Sequence, residues 1–194
     1  MSDIWAIVLA AGASSRMKKQ KLLLPFNGIT IIEKVIQNII PVLDRNILVV
    51  LGSHRYEISR QISNLPVRIC INDNYSEGML SSVISGFRSL PEQAQAAMVF
   101  LGDQPQIPSD VIRMIIDAWL DSGKGIVIPV FKGKRGHPAL IETKYKQEIE
   151  QLDPEKGLRE LMTDYKWDIC EVECDYDEIT RDIDTPEDYE NEIN

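Results

Sequence analysis

Short runs of consecutive apolar residues alternate along the chain with segments in which apolar residues recur every three to four positions. Such runs predict buried strands, and the recurring spacing predicts helices with one buried face. The predicted strands are residues 4–8, 46–51, 67–71, 97–101 and 125–130. Strands that are apolar throughout and alternate with helices are typical of an α/β fold with a mostly parallel sheet covered on both faces.

Predicted helices fill the intervals between these strands. The clearest has its apolar face at Ile31, Ile32, Val35, Ile36, Ile39 and Ile40. Thr30 precedes it and Glu33 follows three residues later, which predicts a capping box at its start. Further helices are predicted at 55–62, 79–90 and 110–120, the last beginning near Pro108 and Ser109.

The pattern changes after residue 130. We expect a flexible basic loop at 132–136, then short strands at 137–141 and 168–173. Two short helices are predicted at 144–152 and 155–163, and Pro186 is expected to begin a final helix. Because no internal repeat, low-complexity segment or long linker interrupts these elements, we expect one domain over residues 1–194.

The composition favours a globular protein of the cytoplasm without a membrane partner. The chain has 194 residues, of which 44% are hydrophobic and 26% charged. No apolar run reaches the roughly 18 residues of a spanning helix, and the N-terminus lacks the basic start of a signal peptide. Three cysteines, an odd number, favour reduced thiols, and with only two histidines a zinc site is difficult to assemble.

Charge is distributed unevenly over the chain, whose net charge is −9. Residues 1–97 hold 10 basic and 7 acidic side chains, whereas residues 98–194 hold 11 and 23. A globally acidic chain is a poor candidate for binding duplex nucleic acid, so we expect no nucleic-acid partner. A small anionic ligand needs only a local basic pocket, which the first half can supply. We interpret most of the acidic residues after Trp167 as solvated surface.

A loop of small residues, 9–17, follows the first predicted strand and leads into Lys18, Lys19 and Lys21. Small residues let a ligand approach the backbone closely, and backbone amides there can face phosphate oxygens. Neither the ordinary P-loop motif nor the dinucleotide fingerprint occurs, which argues against a nicotinamide dehydrogenase. A nucleotide triphosphate site is therefore weighed against a tight turn followed by a basic surface segment.

Carboxylates follow at two places where they could hold a metal ion. Asp103 comes directly after the fourth predicted strand, at the edge of the sheet where ligands bind in such folds. Magnesium prefers one or two carboxylates together with phosphate oxygens. Asp182 and Asp184 point the same way if their segment is extended. The alternatives are a turn residue at Asp103 and a helix cap formed by Thr185 with Asp184.

Several motifs in one order resemble the molybdenum cofactor nucleotidyltransferases, most closely their cytidylyltransferase branch. They are L-A-A-G-x-S-x-R-M, K-L-L-L-P, G-D-Q-P, G-H-P and D-I-D-T-P-E-D, and they run from Ile4 to Tyr189. These enzymes are MobA-like NTP transferases of the nucleotide-diphospho-sugar transferase superfamily. The resemblance implies a Rossmann-like three-layer α/β/α sandwich, in which residues 1–105 bind the nucleotide and residues 106–194 bind the acceptor and complete the metal site.

The resemblance also implies roles for individual residues. Nucleotide binding is implied for Leu9, Ala10, Ala11, Gly12, Arg16, Lys21, Asn72, Gly78, Ser82 and Asp103. Catalytic roles are implied for Arg16, Lys21 and Asp103, and acceptor binding for Gln104, Gly136, His137 and Arg159. Mg²⁺ is expected on Asp103 and Asp184, with Asp182 as the rival to Asp184.

By resemblance, the expected reaction joins CMP from CTP to the phosphate of molybdopterin and releases pyrophosphate. Ala11 points to CTP, because guanosine goes with glycine at that position of the family pattern. A molybdoenzyme or chaperone partner is compatible with this role. The alternatives are another nucleotidyltransferase of the superfamily, using GTP or a sugar or alcohol phosphate, and a non-catalytic carrier. Lys18 and Gln20 depart from the family pattern, which has Gly and Pro there.

Overall fold

A computed structural model describes residues 3–13, 17 and 20–193 of the chain. Its strands are β1 (Ile4–Ala10), β2 (Pro25–Phe26), β3 (Ile29–Thr30), β4 (Ile47–Leu51), β5 (Arg68–Ile71), β6 (Ala96–Leu101), β7 (Ile126–Phe131), β8 (Lys134–Arg135), β9 (Ala139–Glu142) and β10 (Ile169–Glu173). Its helices are α1 (Ile31–Leu43), α2 (Arg55–Gln61), α3 (Met79–Arg88), α4 (Ser109–Ser122), α5 (Lys146–Ile149), α6 (Leu158–Asp164) and α7 (Pro186–Ile193).

The main sheet has the strand order β10-β7-β9-β6-β1-β4-β5, with β8 paired to β7. Strand β9 is antiparallel to both of its neighbours, and β1 is parallel to β4 and β6. One face packs against α1, α2 and α4, and the other against α3, α5 and α6. The three-layer α/β architecture with a mostly parallel sheet is therefore confirmed.

The central position of β1 decides where a ligand site can form. Leu9 lies opposite Val50 of β4 on one side and Leu101 of β6 on the other. The loops that leave these three strands consequently meet at one edge of the sheet, where parallel α/β folds bind ligands. No helix among residues 3–13, 17 and 20–193 is long and apolar enough to cross a bilayer.

Local sequence signals explain most of the elements. Thr30 and Glu33 form the predicted capping box at the start of α1. Glycine allows two close approaches: a Cβ on Gly102 would lie 2.8 Å from the Leu9 carbonyl oxygen, and one on Gly86 would lie 2.6 Å from the Ile7 side chain. The first brings the ends of β1 and β6 together, and the second lets α3 pack closely on β1.

Two local predictions need correction. Strands β2 and β3 form a hairpin that the hydrophobic pattern missed, although Asn27-Gly28 at its turn is a strong hairpin signal. Residues 132–136 are not simply a flexible loop, because Lys134 and Arg135 form β8 and pair with β7. Positive φ angles of 49° at Lys132 and 77° at Gly133 build the tight turn that makes this pairing possible.

Candidate active site

A cleft of about 440 Å³ lies where β1 and β6 end. Residues from distant parts of the chain line it, namely Leu9, Ala10, Ala11, Gly12, Met17, Lys21, Leu22, Tyr75, Gly78, Met79, Ser82, Leu101, Asp103, Asp182 and Asp184. Most of the residues expected to bind nucleotide are therefore brought together. Arg16, a predicted nucleotide-binding and catalytic residue, lies outside the described part of the chain.

The opening loop forms one wall of this cleft. Ala10 and Ala11 are buried, and the Ala11 carbonyl accepts a hydrogen bond of 3.0 Å from the Ser53 amide, which joins this loop to the one after β4. A Cβ on Gly12 would have no described atom within 4 Å. The described protein packing therefore does not require glycine at position 12, whereas close approach of a ligand would.

Gln20 supports the turn that carries Lys21. The Gln20 side-chain oxygen accepts a hydrogen bond of 3.3 Å from the Leu22 amide and so caps the short helical turn Lys21–Leu23. Its side-chain nitrogen also lies 3.5 Å from the Gly12 carbonyl oxygen. Gln20, which departs from the family pattern, thus holds the turn that carries Lys21 against the opening loop.

The Lys21 ammonium group lies between two carboxylates. It donates a hydrogen bond to Asp103, and another of 2.8 Å to Oδ1 of Asp184. The side chains of Lys21 and Asp103 are only 15% and 16% exposed, whereas that of Asp184 is 42% exposed. Burial by itself would lower the pKa of Lys21, but the two carboxylates outweigh it and raise the pKa above its ordinary value.

A helix cap fixes the backbone at Asp184. The Asp188 carboxylate accepts hydrogen bonds from the amides of Asp184 and Thr185, at 3.1 and 2.7 Å. Thr185 in turn accepts one from the Asp188 amide through its hydroxyl, as expected for a residue that caps α7. The cap and the acidic site are therefore compatible, since Asp184 uses its backbone for the first and its side chain for the second.

Asp182 has a different partner from Asp184. Its Oδ1 accepts a hydrogen bond of 2.7 Å from Nε2 of Gln104, which is almost fully buried. Burial and the nearby charges of Asp103 and Asp184 raise the pKa of Asp182, although the bond from Gln104 opposes this. No donor among the described residues reaches Oε1 of Gln104.

The segment containing Gly136 and His137 contacts the chain that leads to the acidic residues. The His137 amide donates a hydrogen bond of 2.9 Å to the Ile179 carbonyl, and a Cβ on Gly136 would collide with that same carbonyl. Burial lowers the pKa of His137, with partial opposition from the charge of Asp103. His137 is thus brought near the site, and Gly136 has a packing role.

Asn72 lies beside the cleft without lining it. Its buried side chain donates to the hydroxyls of Ser81 and Ser82, and its oxygen accepts from the Asn74 amide. Both hydrogens of this amide are therefore bonded within the protein. Ser82 itself lines the main cleft, whereas Asn72 and Ser81 line a smaller hollow of about 270 Å³.

Arg159 is not among the described residues that line the cleft. It is exposed on α6, a helix that packs against α5 on the face of the sheet covered by α3. Its expected contact with the acceptor stays a prediction. Conversely, Tyr75 and Met79 line the cleft although neither was among the predicted site residues.

The donor set around Lys21 suits a hard divalent cation. Asp103, Asp182 and Asp184 supply only oxygen ligands, which Mg²⁺ and Mn²⁺ prefer. Among residues 3–13, 17 and 20–193, no group of three or more His, Cys, Asp or Glu side chains is arranged to hold a metal ion. Instead, the Lys21 ammonium group forms ion pairs with both Asp103 and Asp184.

Comparison with known proteins gives a family match over most of the chain. The model of the MobA-like NTP transferase domain matches residues 6–169. The molybdenum cofactor cytidylyltransferase of Escherichia coli is 32% identical over 192 residues, which are 97% of this chain and 95% of that protein. The nicotine blue oxidoreductase of Paenarthrobacter nicotinovorans is 24% identical over 198 residues, and the match covers 95% of this chain and 93% of that protein.

A solved structure has a similar fold. Rv0371c of Mycobacterium tuberculosis, in a complex with manganese, superposes with a TM-score of 0.79 at 22% identity. The match covers 99% of this chain and 98% of that one. At this identity the likeness concerns the arrangement of strands and helices around the cleft.

Proposed function

Because the chain belongs to the MobA-like NTP transferase family, we propose that it transfers CMP from CTP to the phosphate of a molybdopterin-type acceptor. Membership of that family makes the chain a nucleotidyltransferase, so what we propose is the identity of the nucleotide and of the acceptor. One observation carries it: the Lys21 ammonium group joins Asp103 and Asp184 in a cleft that has the Leu9–Gly12 loop as its wall. This arrangement supplies a cation and two carboxylates beside backbone that a triphosphate can approach.

In the proposed reaction, an oxygen of the acceptor phosphate attacks the α-phosphorus of CTP. The bond from that phosphorus to the bridging oxygen breaks, and the β- and γ-phosphates leave as pyrophosphate. A phosphate monoester is largely dianionic at neutral pH, so the attacking oxygen needs no protein base. The protein contributes position and charge: Lys21 and Arg16 stabilise the negative charge that develops toward pyrophosphate.

Asp103 and Asp184 are the residues that would hold the divalent metal ion. There it would supply positive charge against the triphosphate. The manganese complex of the structurally similar Rv0371c supports the choice of a divalent ion, and magnesium is the proposed one. Lys21 contacts the same two carboxylates, so its ammonium group has to leave them and move to the phosphates when both ligands bind.

Other residues would arrange the two substrates. Gln104 fixes Asp182, and the contact of His137 with Ile179 holds the acceptor-side segment against the chain that leads to Asp184. Arg159 would contact the acceptor only if a substrate extends toward α6. We assign His137 a positioning role, since the reaction has no proton to remove from the attacking oxygen.

Ala11 supports cytidine over guanosine. It is buried at the wall of the cleft, where the family pattern places alanine with cytidine and glycine with guanosine. The E. coli cytidylyltransferase, similar over almost the whole chain, agrees with this choice. A GTP-dependent enzyme and a carrier that binds nucleotide without turnover are the alternatives that an experiment has to separate.

The deciding experiment measures pyrophosphate release with CTP, GTP, UTP and ATP, each with and without purified molybdenum cofactor. We expect release with CTP and cofactor together, at least tenfold faster than with any other nucleotide. Asp103→Asn should slow it by about 10²-fold or more, whereas Asp110→Asn, at an exposed position on α4, should leave it unchanged. Release with GTP alone among the nucleotides would overturn the cytidine assignment, and tight CTP binding without release would favour the carrier.

A further inference from the structure

The cleft differs chemically between its two sides. Lys21, Asp103 and Asp184 bring charge to the side on which β6 ends. Tyr75 and Met79 bring large apolar side chains to the other side, and they are 39% and 60% exposed. Exposed apolar side chains in a concave site mark a surface that a ligand covers.

The Tyr75 side chain packs closely against the backbone at the end of β4. A Cβ on Gly52 would lie 2.6 Å from Cβ and 2.7 Å from Cγ of Tyr75, so only glycine leaves room for this packing. The amide of the next residue, Ser53, bonds to the Ala11 carbonyl. The segment Gly52-Ser53 therefore packs against Tyr75 and is hydrogen-bonded to the opening loop, which forms one wall of the cleft.

Asn72 holds the segment that carries Tyr75. Its side chain accepts from the Asn74 amide at 2.9 Å and donates to the Ser81 hydroxyl at 2.8 Å. The single hydrogen of that hydroxyl has two acceptors within reach, the carbonyls of Asn74 and Gly78 at 3.0 and 2.8 Å. Because both amide hydrogens of Asn72 are bonded within the protein, its side chain cannot donate to a base without breaking this network.

The spacing between the two sides fits a nucleotide. Strands β4 and β6 lie on either side of β1, so the ends that carry Gly52 and Asp103 are separated by two strand spacings, roughly 10 Å. A nucleotide with its phosphates at Lys21 then has its base on the side of Tyr75 and Met79. The flat faces of a base match apolar side chains better than charged ones.

We propose that Tyr75 and Met79 form an apolar wall that packs against the nucleobase, and that Asn72 is the positioning residue for this wall. The inference rests on the proposed function, because it takes the ligand of the cleft to be a nucleoside triphosphate. It gives Asn72 an indirect role in place of the nucleotide contact expected for this residue. A ring of the acceptor has similar chemistry, and the test separates the two sources.

The test measures binding by isothermal titration with two probes, CTP and inorganic tripolyphosphate. Tyr75→Ala should weaken CTP binding about tenfold or more, the range found when base stacking is removed. It should leave the affinity for tripolyphosphate unchanged, since that probe has no base. Tyr75→Phe should retain most of the CTP affinity, and Met79→Ala should show a smaller loss than Tyr75→Ala.

Tyr56 provides a matched control, because it is 76% exposed on α2 and does not line the cleft. Tyr56→Ala should change neither affinity. In Gly52→Ala the new Cβ would push the Tyr75 side chain out of its position, so this variant should reproduce the selective loss of CTP affinity. Thermal unfolding of each variant verifies that it is folded.

Two results would overturn the proposal. One is an unchanged CTP affinity in Tyr75→Ala. If the KM for the acceptor rises in that variant while the CTP affinity stays the same, the wall packs against the acceptor ring instead. The other is an equal loss for CTP and tripolyphosphate. The test measures binding and does not depend on turnover. If the protein binds CTP but releases no pyrophosphate, the proposed function is wrong, and the CTP affinities of the variants still decide whether Tyr75 packs against the base.

Discussion

Nζ of Lys21 lies 2.8 Å from Oδ1 of Asp184, a residue 163 positions later in the chain. The same ammonium group bonds to Asp103, so one cation holds together the turn after the opening loop, the end of β6 and the start of α7. Both carboxylates are also the proposed metal ligands. We therefore expect Lys21 to compete with the metal in the nucleotide-free protein and to bind phosphate once a nucleotide is bound.

This competition predicts opposite effects of Lys21→Met on two measurements. Without nucleotide, the variant should bind Mn²⁺ more tightly than the wild type, because the Lys21 ammonium group no longer pairs with Asp103 and Asp184. Pyrophosphate release should fall by about 10²-fold or more, since charge stabilisation toward the leaving group is lost. Titration of Mn²⁺ and steady-state kinetics measure the two effects, and Lys166→Met, at an exposed position, serves as the control.

Weaker Mn²⁺ binding in Lys21→Met would contradict the competition. Normal turnover would contradict the role of Lys21 at the phosphates. The two results are independent, so either part can fail alone.

Asp103→Asn should reduce turnover by about 10²-fold or more while the protein stays folded. The substitution keeps the size of the side chain and removes the charge that faces Lys21. It should also weaken Mn²⁺ binding, in contrast to Lys21→Met. Kinetics and Mn²⁺ titration measure both effects, and near-normal turnover would refute the assignment of Asp103 to the site.

Gly12 and Gly102 should respond differently to substitution by alanine. At Gly12 the new Cβ meets no described atom, so we expect little change in stability but weaker nucleotide binding. At Gly102 it would lie 2.8 Å from the Leu9 carbonyl oxygen, so unfolding should become easier by about 1–3 kcal/mol. Denaturant unfolding and CTP titration distinguish the two, and a large stability loss in Gly12→Ala would contradict a ligand-facing position.

Asp168 should make stability depend on pH in the acidic range. It is buried and accepts hydrogen bonds from the Tyr145 hydroxyl at 2.5 Å and from the Lys144 ammonium group at 2.8 Å. Burial alone would raise the pKa of Asp168, but these bonds lower it below the ordinary value. A carboxylate with a lowered pKa stabilises the fold above its unfolded pKa, and this contribution is lost as the pH falls through the folded one.

Asp168→Asn should therefore lower the free energy of unfolding by about 2–3 kcal/mol at pH 7. Below about pH 4 the difference from the wild type should shrink, since the wild-type carboxylate is then being protonated as well. Urea unfolding between pH 3 and pH 7 measures this, with Asp121→Asn, at an exposed position, as the control. A difference that stays constant over this range would contradict the argument.

The sequence was sufficient to predict the parts of the site that depend on strand ends. Leu9 and Asp103 follow apolar runs, and parallel strands bring their carboxyl ends to one edge. The pairing of Lys21 with Asp184 could not be derived from spacing, because it depends on how α7 returns to the sheet. The motif resemblance selected both residues and the fold brings them into contact, while their roles stay predictions.

Other features needed the three-dimensional arrangement. Tyr75 is one tyrosine among six, and nothing near it along the chain shows that Gly52 leaves room for its ring. Asn72 matched a family position, but whether its amide faces a ligand or its own loop is decided by the hydroxyls of Ser81 and Ser82. Gln20 departed from the family pattern, and its cap on the lysine turn became apparent only from the fold.

The cap between Thr185 and Asp188 has a consequence for the order of events during synthesis. Lys21 and Asp103 leave the ribosome long before the segment that the cap fixes. Because a domain folds as a unit, the contacts of Lys21 with both aspartates form only after nearly the whole chain has been synthesised. The charge balance of the cleft is therefore completed only when the acidic C-terminal segment joins the fold.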